Sequence, residues 1–211
     1  MMTLNKLTPS KQKKGRWLAS LSDGTLLRLG EGEVAAFGLY SGMELSGERL
    51  EELKAAAERG KTRETALNML TSRPLSRKEL ERKLERRDVS EEDVAATADW
   101  LEDIGLINDA DYARQLVRHL SAKGYGERKL RDELYRRGVL REFWDEAMEE
   151  REDPAEAIGA FVTKKLAGKR VDRKELKKVA DALIRRGYSW SDISAALNRY
   201  EVEMMDEEGS L

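Results

Sequence analysis

The chain has 211 residues, a formal net charge of −2, and 38% charged against only 6% aromatic residues. So few aromatics leave material for a thin core only, and near-neutral bulk charge gives no sign of a nucleic-acid partner, so the distribution of charge has to carry that question. The lack of cysteine excludes disulfides, thiol nucleophiles and thiolate metal sites, and no apolar run is long enough to span a bilayer or form a signal-peptide core; a soluble, cytoplasmic protein is expected.

Residues 1–46 read as an N-terminal β-containing extension. Lys6, Lys11, Lys13, Lys14 and Arg16 make its start basic. Two short apolar runs, 17–21 and 25–29, flank Ser22-Asp23-Gly24, and Asp-Gly readily supplies the positive φ angles of a tight hairpin turn. Residues 33–37 predict a short helix stopped by Gly38. Two strands alone are barely stable in water, so the extension must lean on another part of the chain. Residues 47–61 predict a connecting helix, with Gly60 as its left-handed cap.

From there the chain repeats itself. Aligning Leu84, Leu134 and Leu183 brings Arg86-Arg87, Arg136-Arg137 and Arg185-Arg186 to the same offsets, a spacing of about fifty residues that belongs to helical arrays. Three three-helix repeats are expected, at 62–107, 108–150 and 151–200, followed by an acidic, frayed tail at 201–211. In the first repeat Ala66, Leu67 and Leu70 face inward before Pro74 ends a helix. Ser76 with Glu79 then forms a capping box ahead of Leu80 and Leu84, and Ser90 with Asp93 caps a third helix whose stripe is Val94, Ala98, Leu101 and Ile104. Asn108 caps the second repeat, with Tyr112, Ala113, Leu116 and Leu120 as its apolar face. Gly124, Tyr125 and Gly126 turn the chain into a basic helix closed by Gly138. Asp153-Pro154 and Asp172 start helices of the third repeat, and Gly187 stops its middle one. Each helix has one narrow stripe and gains stability only by packing on its neighbours.

Catalytic chemistry finds little footing. His119 is the sole histidine, beside Leu116 and Leu120, with no second ligand or base near it in sequence, and a lone histidine in that setting is ordinarily a surface residue. The carboxylates fall at helix starts or three to four residues from a Lys or Arg, where capping and pairing explain them. No phosphate-cradling glycine motif is present. No enzyme activity, cofactor or metal is expected. The basic middle helices are the better lead: Arg77, Lys78, Lys83, Arg86 and Arg87 recur in kind as Arg128, Lys129, Arg131, Arg136 and Arg137, then as Arg173, Lys174, Lys177, Lys178, Arg185 and Arg186. A single such pair is explained by the helix dipole, but its repetition suggests a stripe able to track a phosphate backbone or an acidic groove. Trp100, Trp144, Trp190, Tyr125 and Tyr188 are core fillers before they are stacking platforms.

The run Trp100-Leu101-Glu102-Asp103-Ile104-Gly105-Leu106-Ile107-Asn108-Asp109, then Tyr112-Ala113, then Lys123-Gly124-Tyr125-Gly126 ahead of a basic helix, resembles the RecX regulatory proteins over roughly residues 62–200. The extension is similar to that of longer RecX proteins of Gram-positive type, and Asp88 stands where that family usually has glycine. The resemblance implies an all-α protein, three tandem three-helix repeats in an elongated, curved array behind the small hairpin-containing extension. It further implies binding in the groove of the RecA filament, with restraint of RecA ATPase, strand exchange and coprotease activity. The expected partners are that filament and single- or double-stranded DNA, with no membrane and with the chain as a monomer. A stand-alone DNA-binding module and a scaffold for another protein's helices are the alternatives.

Overall fold

The computed structural model describes residues 1–168 and 171–208, with side chains described as far as 200. Its backbone contacts divide the chain into two units, one of residues 1–74 and 80–106, the other of 75–79 and the chain from Ile107 onward.

The first unit opens with β1 (Met2–Pro9), β2 (Arg16–Leu21), β3 (Leu26–Gly30), the short helix α1 (Glu31–Ala36) and β4 (Met43–Leu45). The expected hairpin is β2–β3. Gly24 has φ +87° at its turn, and the Asp23 carboxylate accepts from the Thr25 N–H at 2.8 Å, which lowers the Asp23 pKa. Sequence reading predicts only these two strands; the structure adds β1 and β4 in the order β3-β2-β1-β4, all antiparallel. The alternation in β1 is broken by a bulge between Leu4 and Lys6, which hides its period of two behind the basic residues. Four strands present a sufficient apolar face. Leu4, Leu21, Leu29 and Leu45 pack with Leu50 and Leu53 of α2 (Gly47–Ser72), so the extension leans on the first long helix as its size requires.

The expected stop at Gly60 is absent: α2 runs unbroken from Gly47 to Ser72, joining the connecting helix to the first helix of the first repeat. Helix formers flank Gly60 on both sides, and its use lies in close approach. A Cβ there would stand 2.9 Å from Oε1 of Glu33, whose Oε2 accepts from the Gly30 N–H at 2.8 Å. The missing side chain is what lets α1 lie against α2.

Helices α3 (Arg77–Glu85) and α4 (Glu91–Asp103) come next, burying Leu80, Leu84, Val94, Ala98 and Leu101. Between them Asp88 has φ +59°, the only positive φ of a non-glycine among the described residues. Ser90 caps α4 by accepting from the Asp93 N–H at 3.2 Å. Ile104 departs from the expected stripe and is 49% exposed, because α4 ends there and Gly105, at φ +71°, turns the chain away.

The second unit holds α5 (Asp109–Ser121), α6 (Glu127–Arg137), a 3-10 turn over Arg141–Phe143, α7 (Trp144–Met148), α8 (Pro154–Leu166), α9 (Arg173–Arg185) and α10 (Trp190–Glu208). Helices α5–α7 enclose one core around Ala113, Val117, Leu130, Leu134 and Trp144; α8–α10 enclose another around Ile158, Val162, Leu166, Leu183 and Ile193. The expected caps are present: Asn108 accepts from Asp111 N–H at 3.0 Å, Asp153 from Ala155 N–H at 2.8 Å and Asp172 from Glu175 N–H at 2.8 Å. Helix α10 runs on through the acidic tail as far as Glu208, and 209–211 lie outside the described residues.

Candidate interaction surface

The middle helices of successive repeats meet head to tail within the second unit. The start of α3 meets the end of α6: the Ser76 hydroxyl accepts from the Glu79 N–H at 3.1 Å and donates to the Arg137 carbonyl. The start of α6 meets the end of α9 in the same way, with the Gly126 N–H donating to the Arg186 carbonyl at 2.8 Å and the Arg128 N–H to the Gly187 carbonyl at 3.1 Å. Orphan donors of one helix thus satisfy orphan acceptors of the next, and the dipoles align.

Arginine locks both joints. The Arg137 guanidinium donates to the Glu79 carboxylate at 3.2 and 3.3 Å, and the Tyr112 hydroxyl donates to the same carboxylate at 3.0 Å. At the equivalent place Arg186 donates to the carbonyls of Lys123 (3.0 Å) and Gly124 (3.1 Å), with its guanidinium 4.8 Å from the Phe161 ring and 6.0 Å from that of Tyr125. The expected Gly124-Tyr125-Gly126 turn is therefore the socket for Arg186. Gly126 has no room for a side chain, since a Cβ would stand 2.5 Å from the Tyr188 nitrogen. Burial raises the Tyr188 pKa. Gly138 closes α6 at φ +72°, in the left-handed conformation expected of it.

The pairs therefore split. The second arginine of the later two turns inward, while the first, Arg136 and Arg185, is exposed. Arg136 pairs with Glu133 at 2.7 Å. Arg185, Lys83, Arg86 and Arg87 form no ion pair among the described residues, and both Arg86 and Arg87 are exposed. Arg128 donates to the Ile184 carbonyl at 3.3 Å, Lys129 lies 3.9 Å from Glu133, and Arg131 pairs with Glu127 at 2.9 Å. The Arg77 N–H donates to Asp109 Oδ1 at 2.8 Å, while Lys78 is exposed at the first turn of α3. Glu79, Tyr112 and Phe161 complete the joints and escape sequence reading, because Glu79 is accounted for by a capping box and the other two by core. Trp144 is buried, donating to the Val139 carbonyl at 3.0 Å, whereas Trp190 is 63% exposed. His119 is exposed on α5. Among the described residues no cluster of His, Asp or Glu is placed to hold a metal ion, and no helix is long and apolar enough to cross a membrane.

This is a helical-repeat protein whose interlocked middle helices carry exposed cations, preceded along the chain by a small antiparallel sheet. Models of the first, second and third three-helix domains of RecX match residues 63–101, 108–148 and 152–197. The regulatory protein RecX of Vibrio campbellii is 36% identical over 139 residues, 65% of this chain and 90% of that protein. That of Streptococcus gordonii is 25% identical over 201 residues, 94% of this chain and 78% of that protein, a span that takes in most of the extension. Among solved structures, a regulatory protein RecX superposes with a TM-score of 0.74 at 24% identity over 94% of this chain and all of that one. RecX from Lactobacillus salivarius superposes with 0.63 at 24% identity over 70% of this chain and 99% of that one. The chain belongs to the RecX family of regulatory proteins.

Proposed function

We propose that the protein acts in the cytoplasm, as a monomer without catalytic activity of its own, by binding in the groove of the RecA–single-stranded DNA filament and restraining RecA ATPase, strand exchange and coprotease activity. Membership of a family of regulatory proteins supports the role, and one structural observation supports the mode. Each middle helix ends in an exposed cation, Arg86, Arg136 or Arg185, while the inward arginine at each of the two joints fixes one repeat on the next. A surface so divided can follow a helical nucleoprotein filament without being remodelled by it, because the residues that set the joints are not the ones spent on the partner.

The deciding experiment is RecA-catalysed ATP hydrolysis on single-stranded DNA with this protein titrated in. Hydrolysis should fall with added protein and recover partly with the Arg86→Ala/Arg136→Ala/Arg185→Ala variant. Unchanged hydrolysis at saturating protein sinks the proposal and leaves a plain DNA-binding module, whose affinity would depend on salt whether or not RecA is present.

A further inference from the structure

The first unit contains a cleft of about 460 Å³ between the β2–β3 hairpin and α2. Six cationic side chains line it, Lys13, Lys14, Arg16, Arg28, Lys61 and Arg63, against the carboxylates of Glu33, Glu58 and Glu64, in a chain whose net charge is −2. Every one of those carboxylates is engaged. Glu33 accepts from the Gly30 N–H at 2.8 Å, Glu58 pairs with Lys61 at 2.8 Å, and Glu64 takes Arg16 at 2.5 Å together with Lys13. Lys14 and Arg28 remain, exposed and without an ion pair among the described residues, and Arg63 lies with its guanidinium 4.7 Å over the Trp100 ring.

Six cations against three carboxylates leave the lining with an excess of positive charge, and a cleft with that excess concentrates anions. The choice of anion rests on the remainder of the lining. Leu26, Leu27 and Leu67 add apolar surface, and a guanidinium stacked on one aromatic ring has a second face on which a base can lie. Phosphates along a cationic rim with bases on an apolar floor are the pattern of single-strand binding, and a cleft of about 460 Å³ is the size of a short piece of one strand. We propose that this cleft is a binding site for the phosphodiester backbone of single-stranded nucleic acid, built from the β2–β3 hairpin and α2 and not from the basic middle helices.

The test titrates the full chain against a labelled oligodeoxythymidine over a range of salt concentrations, as wild type and as Lys14→Gln/Arg28→Gln. Both positions are exposed, so the variant should melt with the wild type. Its slope of log affinity against log salt should flatten by about 1.4, because each single-strand phosphate that a cation no longer neutralises removes about 0.7. An unchanged slope overturns the proposal, as does a wild type that does not bind the oligonucleotide. Competition by thymidine monophosphate at the oligonucleotide's own concentration also overturns it, by making the cleft a free-nucleotide site. Polyglutamate that outcompetes the oligonucleotide on the wild type but not on the variant does so as well, by assigning the cleft to acidic polypeptide. The filament reading fails separately, on RecA hydrolysis, whatever this variant does.

Discussion

Arg137 and Glu79 are hydrogen-bonded at 3.2 Å although 58 positions separate them in the chain. With the Ser76 hydroxyl on the Arg137 carbonyl, the bond ties the start of one repeat's middle helix to the end of the next. The Glu79 side chain is only 14% exposed, so its charge depends on the partners the joint supplies.

Arg137→Ala should therefore lower stability by about 1–2 kcal/mol, since it removes a charge-assisted contact to a carboxylate in a place water reaches poorly. Arg136→Ala, at a side chain 65% exposed, should stay within about 0.5 kcal/mol. Urea denaturation of both variants decides it. Equal midpoints would mean that the Arg137 pair contributes no more than a solvated one.

Gly126→Ala should be the more damaging of two glycine changes. Its Cβ would meet backbone atoms of Gly187 and Tyr188 at 2.5–2.7 Å, and backbone cannot swing aside as a side chain can, so a loss of about 2 kcal/mol or more is expected. Gly138→Ala is opposed by a backbone φ of +72°, and should cost about 1 kcal/mol. Thermal melts that rank them the other way would place the strain in the cap and not in the joint.

Asp88→Gly should stabilise the protein, by up to about 1 kcal/mol, because Asp88 holds a left-handed φ of +59° that glycine adopts without a clash. A lower melting temperature for the glycine variant would show that the Asp88 side chain contributes something there that outweighs the backbone.

Acid should loosen the first unit through Glu64. Its carboxyl is held below the ordinary range, first by the Arg16 hydrogen bond and then by Lys13. A depressed folded-state pKa adds stability above the unfolded value of about 4.3, and that increment is lost as pH falls through the folded value. Glu64→Gln should lack the increment at neutral pH and show a shallower decline in acid, followed by tryptophan fluorescence during urea titrations at pH 7 and pH 3. Parallel pH profiles for the two proteins would remove Glu64 from the acid response.

Much of the fold was legible in the residues. The period that aligns Leu84, Leu134 and Leu183 marks three buried positions, and Gly138 and Gly187 take the left-handed conformations their places after basic helices suggest. Serine, asparagine and aspartate caps were readable because a cap is local chemistry. Tertiary effects were not. Gly60 reads as a stop from its neighbours alone, and only the Glu33 carboxylate packed against it explains a glycine inside a continuous helix. The inward turn of Arg137 and Arg186 was hidden for the same reason: spacing gives an offset along a helix, while direction depends on an acceptor contributed some sixty residues away.

The two joints share one plan but use different parts. One closes serine and glutamate on arginine; the other closes glycine and bare carbonyls on an arginine held between two rings. Each module thus carries its own address. A third module placed directly after the first would present Arg186 to Glu79 without the ring of Tyr125, and a second module placed last would bring Arg137 to the Asp172 start of α9, without Ser76 and Glu79. The order of the modules is written into these joints, and a shuffled chain would keep its helices while losing their succession.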